Sequence, residues 1–154
     1  MRDGGAPDGA PAEPAQRLAA RVVDTLVVGL PVTLVTTSEP LGLPPATAET
    51  LTAPILAGLL LVYETVQLAL WGRTLGKRLV GLRVRSEDGA GAGPGVGHAA
   101  LRATVYAAPI AMQPIPLLGP VMGVLWVGNA LLTLREPRRP LHDRLAGTVV
   151  AAAP

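Results

Sequence analysis

The sequence has no cysteine and no phenylalanine, and only 16% of its 154 residues are charged. The missing cysteine excludes disulfides, thiolate metal sites and cysteine nucleophiles. Aromatic residues make up 3% of the chain, so a water-soluble core would have to rest on leucine, valine and alanine. Soluble domains usually carry about 25% charged residues. The low charge, together with a mean hydropathy of +0.42, therefore favours a bilayer protein.

Long apolar blocks are present instead of the amphipathic spacing of a soluble protein. Residues 16–37 and 51–71 are each long enough to cross a bilayer, which takes about 20 residues. Residues 117–134 contain no charge and are a further spanning candidate. Residues 99–113 are apolar but contain one arginine and one proline, and they predict a short, kinked third span. The fold class predicted is an all-α membrane protein with four transmembrane helices.

Basic residues are distributed unevenly between the segments that join these blocks. The loop 38–50 contains no lysine or arginine, whereas Arg17 and Arg21 stand at the start of the first block, six basic residues lie within 72–102, and four arginines follow residue 134. Because positive residues concentrate on the cytoplasmic side, both termini and residues 72–102 are predicted to be cytoplasmic. Termini on one side require an even number of crossings, which favours four. The alternative, a third block lying on the cytoplasmic surface, would leave the arginine-rich C-terminus outside.

The N-terminal end differs in composition from the rest of the chain. Residues 1–15 are rich in glycine, proline, alanine and acidic residues and contain no leucine, isoleucine or valine. Such a segment cannot bury enough apolar surface to offset the entropy of ordering. We expect a disordered tail over residues 1–15 and a single transmembrane domain over residues 16–151.

Charged residues inside the first two spans are the candidate functional groups. Arg17, Arg21 and Asp24 follow i, i+4, i+7 spacing and share one helical face. Asp24 either pairs with Arg21 near the interface or forms an ion or proton site whose charge state Arg17 sets. Glu64, near mid-bilayer by counting, is protonated, paired with Asn129 or facing a polar cavity. Asp24 and Glu64 are thus candidates for an ion or proton relay.

A small sheet is expected on the cytoplasmic side. Alternating apolar residues predict a strand over residues 79–85, and residues 147–151 are also β-like. Pairing of the two would carry Asp143 beneath the first helix. It would bring Arg17 and both aspartates, Asp24 and Asp143, into one charge cluster in a partly dry setting.

Two short motifs invite enzymatic interpretations that their residues do not support. GRTLGKR, residues 72–78, lacks the glycine spacing and the hydroxyl residue of a phosphate-binding loop. It is better explained as a basic turn that attracts anionic lipid headgroups. HDR, residues 142–144, places an imidazole next to a carboxylate without an activated nucleophile, and fits a cytoplasmic latch better than a hydrolase site. The two histidines have no spacing that predicts a metal site.

Three stretches in order resemble the RDD family of small multi-pass membrane proteins: RLAARVVD, GRTLGKRLVGLRV and RRPLHDRLAGTVV. The resemblance places the family's signature arginine and two aspartates on Arg17, Asp24 and Asp143. Arg21 departs from the family pattern. The family's loop motif falls on Gly72, Thr74, Leu75, Gly76 and Lys77. The resemblance implies a membrane protein, and cation/proton exchange has been proposed for some members.

Two function hypotheses follow. The first is a cation or proton transport component, possibly a homo-oligomer, that uses Asp24 and Glu64. The second is a non-transporting scaffold or accessory subunit whose cluster of Arg17, Arg21 and Asp143 only locks the fold. An enzyme is the least supported alternative, and no cofactor or nucleic acid is expected. The expected surroundings are the plasma membrane and its anionic headgroups.

Overall fold

The computed structural model describes residues 12–38, 41–86, 93–132 and 141–153. Along the chain the elements are α1 (Pro14–Thr37), α2 (Pro45–Trp71), α3 (Leu75–Leu79), β1 (Leu82–Ser86), α4 (Val96–Ala111), α5 (Leu118–Leu131), α6 (Leu141–Leu145) and β2 (Thr148–Ala152). The protein is thus mostly helical with one small sheet. Residues 1–11 of the predicted tail lie outside the described ranges.

The first two helices are the long, apolar ones. α1 has 24 residues and α2 has 27, and both have the length and hydropathy of membrane-crossing helices. At 1.5 Å per residue they measure about 36 and 40 Å. Both begin earlier than the hydropathy predicts. Pro14 and Pro45 stand in the first turn of their helices, where the missing N–H of proline has no cost.

The next two helices are shorter. α4 has 16 residues, with Pro109 near its C-terminal end, and it packs along α2. α5 has 14 residues and ends at Leu131, whereas the apolar block predicted for it extends to residue 134. Residues 133 and 134 lie outside the described part of the chain. Two membrane-length helices, the short apolar helix α5 and the less apolar α4 therefore stand where four spans are expected.

The predicted strand pairing is confirmed, with shifted bounds. β1 and β2 are antiparallel, with Val84 opposite Val150. The first residue of the predicted strand, Leu79, instead ends the short helix α3, whose first turn is capped by the Thr74 hydroxyl accepting from the Lys77 N–H. Gly81, at φ 68°, provides the left-handed turn between α3 and β1.

The sheet closes one end of the helical bundle. Leu82, Val84 and Val150 face inward and form a buried core with Leu68 of α2 and Ala99 of α4. The segment just before α1 also lies against the sheet, because the N–H of residue 12 donates to the carbonyl oxygen of residue 150. We call this place the sheet end of the bundle, and the opposite end of α1 and α2 the far end.

Candidate functional site: a buried charge network

Seven charged residues from five helices meet inside the sheet end. They are Arg17, Arg21, Asp24, Glu64, Lys77, Arg102 and Asp143, and we call them the charge network. Four are basic and three are acidic. Five of them are at most 5% exposed, a degree of burial that charged residues reach only when they are paired.

Asp143 joins the last helix to the first and fourth. Its Oδ2 accepts from Arg17 Nη1 at 3.1 Å, and its Oδ1 accepts from Arg102 Nη1. Arg17 also donates to the carbonyl oxygen of Val150 at 3.1 Å, and Arg102 donates to the Thr148 hydroxyl at 3.1 Å. The predicted meeting of Arg17 with Asp143 is thus present, although the two residues are 126 positions apart.

Glu64 is surrounded by three cations. Arg21 donates to both of its oxygens at 3.0 and 3.4 Å, while Lys77 Nζ and Arg102 Nε each lie 3.4 Å from Oε1. The Asn129 side-chain oxygen accepts from the backbone N–H of Leu141 on α6 at 2.6 Å, so the suggested pairing of Glu64 with Asn129 stays a prediction. Since α2 ends at residue 71, Glu64 lies about 10 Å from that end.

Asp24 has different partners from the other two acids. One oxygen accepts from the Tyr63 hydroxyl at 2.7 Å and from the Gly76 N–H at 2.8 Å. The other accepts from the Thr74 hydroxyl at 2.6 Å. All three donors are neutral, and within the described ranges Asp24 forms no salt bridge. The predicted cluster of Arg17 with both aspartates therefore holds for Asp143 only.

Arg21 does not form the intrahelical pair with Asp24 that its spacing suggests. Its guanidinium instead reaches across to Glu64 and lies over the ring of Tyr106, 3.7 Å from the ring centroid. A cation over an aromatic face is an attractive arrangement. Arg21 therefore links α1 to both α2 and α4.

The loop motif, residues 72–77, supplies two of the hydrogen-bond donors that hold Asp24. Gly72, at φ 65°, ends α2 and lets the chain turn. Thr74 caps α3 and also donates to Asp24. A side chain on Gly76 would overlap the carbonyl oxygen of Ala20 on α1, so only glycine lets α3 approach this closely. The motif therefore docks α3 against α1.

Lys77, on the short helix α3, has a perturbed pKa. Burial lowers the pKa of its amino group to about 8, and the neighbouring Glu64 carboxylate opposes that shift only in part. Its amino group lies 3.4 Å from both the Glu64 carboxylate and the Thr74 hydroxyl. Lys77 remains mostly charged at neutral pH and belongs to the ion pairs around Glu64.

No group of three or more histidine, aspartate or glutamate side chains that could hold a metal ion comes together in the described parts of the chain. The carboxylates that are present already face cations or hydrogen-bond donors. Cation binding would require one of these partners to leave.

Arg102, which contacts two of the three acids of the network, was not among the residues predicted from the sequence. Arg102 is 2% exposed and contacts both Glu64 and Asp143. The sequence did contain an indication of its role, because an arginine inside an apolar block needs a buried acid as its partner. Tyr63 and Tyr106 were also missed as partners of Asp24 and Arg21, because an aromatic residue in a membrane helix carries no comparable sequence signal.

Comparison with known proteins gives one result. The sequence model described as RDD family matches residues 11–147, which is most of the chain and includes every member of the charge network. A search of the curated proteins and of the solved structures gives no match.

Proposed function

The chain belongs to the RDD family, and from that premise we propose a four-span plasma-membrane protein with both termini in the cytoplasm. We propose further that it is a non-transporting scaffold or accessory subunit, and that its charge network is a clasp that holds the helices together. Family membership and the apolar helices are consistent with a membrane protein.

The number of crossings is constrained by which parts of the chain meet. β1 and β2 are paired, and the residue before α1 is hydrogen-bonded to β2. The start of α1 and both strands therefore lie on the same side of a membrane. α1 and α2 leave this side and return to it. α4 and α5 connect β1 to β2, so they contribute either two crossings or none.

Contacts at the far end favour two further crossings. A cavity of about 510 Å³ is lined there by Thr36 of α1 and Pro45 of α2, and also by Ile110 and Gln113 at the end of α4. α4 thus extends from the sheet end to the depth at which α1 and α2 turn. With about 24 Å for α4 and 21 Å for α5, the bilayer around them has to thin.

Charge gives the orientation. All four basic members of the charge network are at the sheet end, and Arg73, Arg78 and Arg85 lie in the same region of the chain. The loop between α1 and α2 has no basic residue. The positive-inside rule therefore makes the sheet end cytoplasmic.

The observation that supports a clasp most strongly is the set of ion pairs around Glu64 and Asp143. Glu64 faces three cations and Asp143 faces two. The cations already occupy the carboxylate oxygens to which a transported cation or proton would have to bind. The pairs connect α1, α2, α3, α4 and α6, which is what a clasp requires.

A second candidate function rests on Asp24 alone. Its carboxylate is 1% exposed, and among the described residues its hydrogen-bond donors are all neutral. Acidic residues within transmembrane segments often belong to proton relays. If the protein transports cations or protons, Asp24 is the residue that carries the proton, and Glu64 is not.

Flux measurements separate the two functions. Wild type and the Asp24→Asn and Glu64→Gln variants are reconstituted into liposomes containing a pH-sensitive dye, and Na⁺ or K⁺ gradients are applied. We expect no cation-dependent proton flux above that of protein-free liposomes. Flux that Asp24→Asn abolishes would contradict the scaffold and support the relay. Flux that both variants retain would contradict both proposals.

The topology has a separate test, which the absence of cysteine simplifies. Gln113→Cys at the far end and Arg85→Cys on β1 are labelled in intact cells and in inverted membrane vesicles with an impermeant maleimide. We expect Gln113→Cys to react in cells and Arg85→Cys only in inverted vesicles. Reaction of both positions from one side would contradict four spans.

A further inference from the structure

Two segments of the chain repeat one pattern. LGKRLVGLRV (residues 75–84) and LHDRLAGTVV (residues 141–150) are identical at five of ten positions when aligned without gaps. Both fold in the same way, as a five-residue helix, a glycine with positive φ and a strand. The glycines, Gly81 and Gly147, occupy equivalent positions. The sheet end is therefore built from two copies of one helix–glycine–strand unit.

The strand register relates the two units by a twofold axis. Leu82 lies opposite Ala152, and Ser86 lies opposite Thr148. Val84 pairs with Val150, its own equivalent 66 residues later, so the axis passes between these two residues. In an antiparallel pair such an axis is perpendicular to the sheet. The axis gives α3 and α6 equivalent positions relative to the sheet, whose inner face packs on Leu68 of α2 and Ala99 of α4.

Each short helix has one buried face and one exposed face. The equivalent residues Lys77 and Asp143 point inward with opposite charges and join the charge network. The outer face carries a pair of leucines at i, i+4 spacing and one arginine, Arg78 or Arg144. The leucines are substantially exposed, at 42% for Leu75, 75% for Leu79, 46% for Leu141 and 55% for Leu145.

The position of α3 indicates what covers this surface. Trp71, the last residue of the long apolar helix α2, is 50% exposed, and tryptophan at such a position marks the headgroup level. α3 begins four residues later. Leucines beside an arginine have the composition of an interfacial helix, whose apolar side chains enter the acyl boundary while the cation meets phosphate.

We propose that α3 and α6 are a symmetric pair of interfacial anchors that seat the sheet end in the cytoplasmic leaflet. Their leucines enter the acyl boundary, and Arg78 and Arg144 bind the phosphates of anionic lipids. This inference rests on the proposed membrane topology and specifies the lipid surface that the sheet end contacts.

The depth of single spin labels tests the proposal. Single-cysteine variants Leu79→Cys, Leu145→Cys, Val149→Cys and Val124→Cys are labelled with a nitroxide and reconstituted into liposomes of phosphatidylcholine with 30% phosphatidylglycerol. Depth is measured from collisions with oxygen and with a water-soluble nickel chelate. We expect labels at 79 and 145 to lie at equal, shallow depth in the leaflet, and the label at 149, on the outer side of the sheet, to lie in water.

A label at Val124, which is 73% exposed on α5, distinguishes failure of the anchor proposal from failure of the four-span topology. A label at 124 in hydrocarbon with labels at 79 and 145 in water would overturn the anchors and leave the topology intact. A label at 124 in water would overturn the topology. Labels at 79 and 145 shielded from both collision partners would indicate a protein contact, such as a second copy, and would also overturn the anchors.

The arginines have their own readout. In the double variant Arg78→Gln, Arg144→Gln, the preference for phosphatidylglycerol over phosphatidylcholine among lipids bound to the protein should fall by about fivefold for each arginine. The matched control is Arg85→Gln on β1, which should leave the preference unchanged. An equal loss of preference in Arg85→Gln would indicate that any lost positive charge has this effect, and it would contradict specific anchoring by Arg78 and Arg144.

Discussion

Replacing Glu64 by glutamine is the sharpest test of the clasp, because it removes one charge and almost no volume. The side chain is 3% exposed and contacts the cations of Arg21, Lys77 and Arg102 at 3.0–3.4 Å. Removing one partner of a buried ion pair costs about 3–5 kcal/mol, because the remaining charges stay buried. Glutamine keeps a carbonyl oxygen that still accepts one of the donors. We therefore expect a loss of about 3 kcal/mol in the free energy of unfolding.

The loss can be measured by titrating the protein out of mixed micelles with sodium dodecyl sulfate and following tryptophan fluorescence. Glu49→Gln is the matched control, since Glu49 lies on the same helix and is exposed. It should change the free energy of unfolding by less than about 0.5 kcal/mol. A value for Glu64→Gln within about 1 kcal/mol of wild type would refute the reasoning, since the three cations would then not depend on the carboxylate.

Three further predictions follow from single contacts. Gly76→Ala should push α3 off α1 and reduce the yield of folded protein, measured by size-exclusion chromatography, whereas Gly58→Ala, which has open space around it, should be neutral or stabilising. Tyr63→Phe removes a hydroxyl bonded to Asp24 at 2.7 Å and should lower the unfolding free energy by about 2 kcal/mol; an unchanged value would contradict the contact. Burial holds the pKa of Lys77 at about 8 in the folded state, against 10.5 when it is exposed. Between these pH values the unfolded state binds more protons than the folded state. The contribution of Lys77 to the free energy of unfolding should therefore rise with pH from about 8 to 10.5. Lys77→Met should lack that rise, and parallel pH profiles for both proteins would contradict it.

Local sequence patterns predicted the sheet and one pair of the network. Period-two alternation identifies β1 even though its bounds are shifted, and the return of the chain as β2 carries Asp143 to Arg17. The helix α3 was missed because five residues are too few for a periodic signal. Its presence depends on the Thr74 cap and on docking against α1 at Gly76.

The partner choices inside the network could not be read from spacing. Arg21 has Asp24 within one turn on its own helix, yet it pairs with Glu64, because Asp24 is already occupied by three donors from α2 and the α3 segment. Arg102 is placed between Glu64 and Asp143 by the packing of α4 on α2 and α6. Such choices depend on tertiary packing, which no local pattern encodes.

A double-mutant cycle on Arg17 and Asp143 tests the central claim most directly, because this pair joins the first helix to the last. The free energies of unfolding of wild type, Arg17→Gln, Asp143→Asn and the double variant are measured under one condition. The clasp predicts a coupling energy above about 1 kcal/mol, with the double variant less destabilised than the sum of the single ones. Effects that add within about 0.5 kcal/mol would contradict it, since the two residues would then stabilise the fold independently.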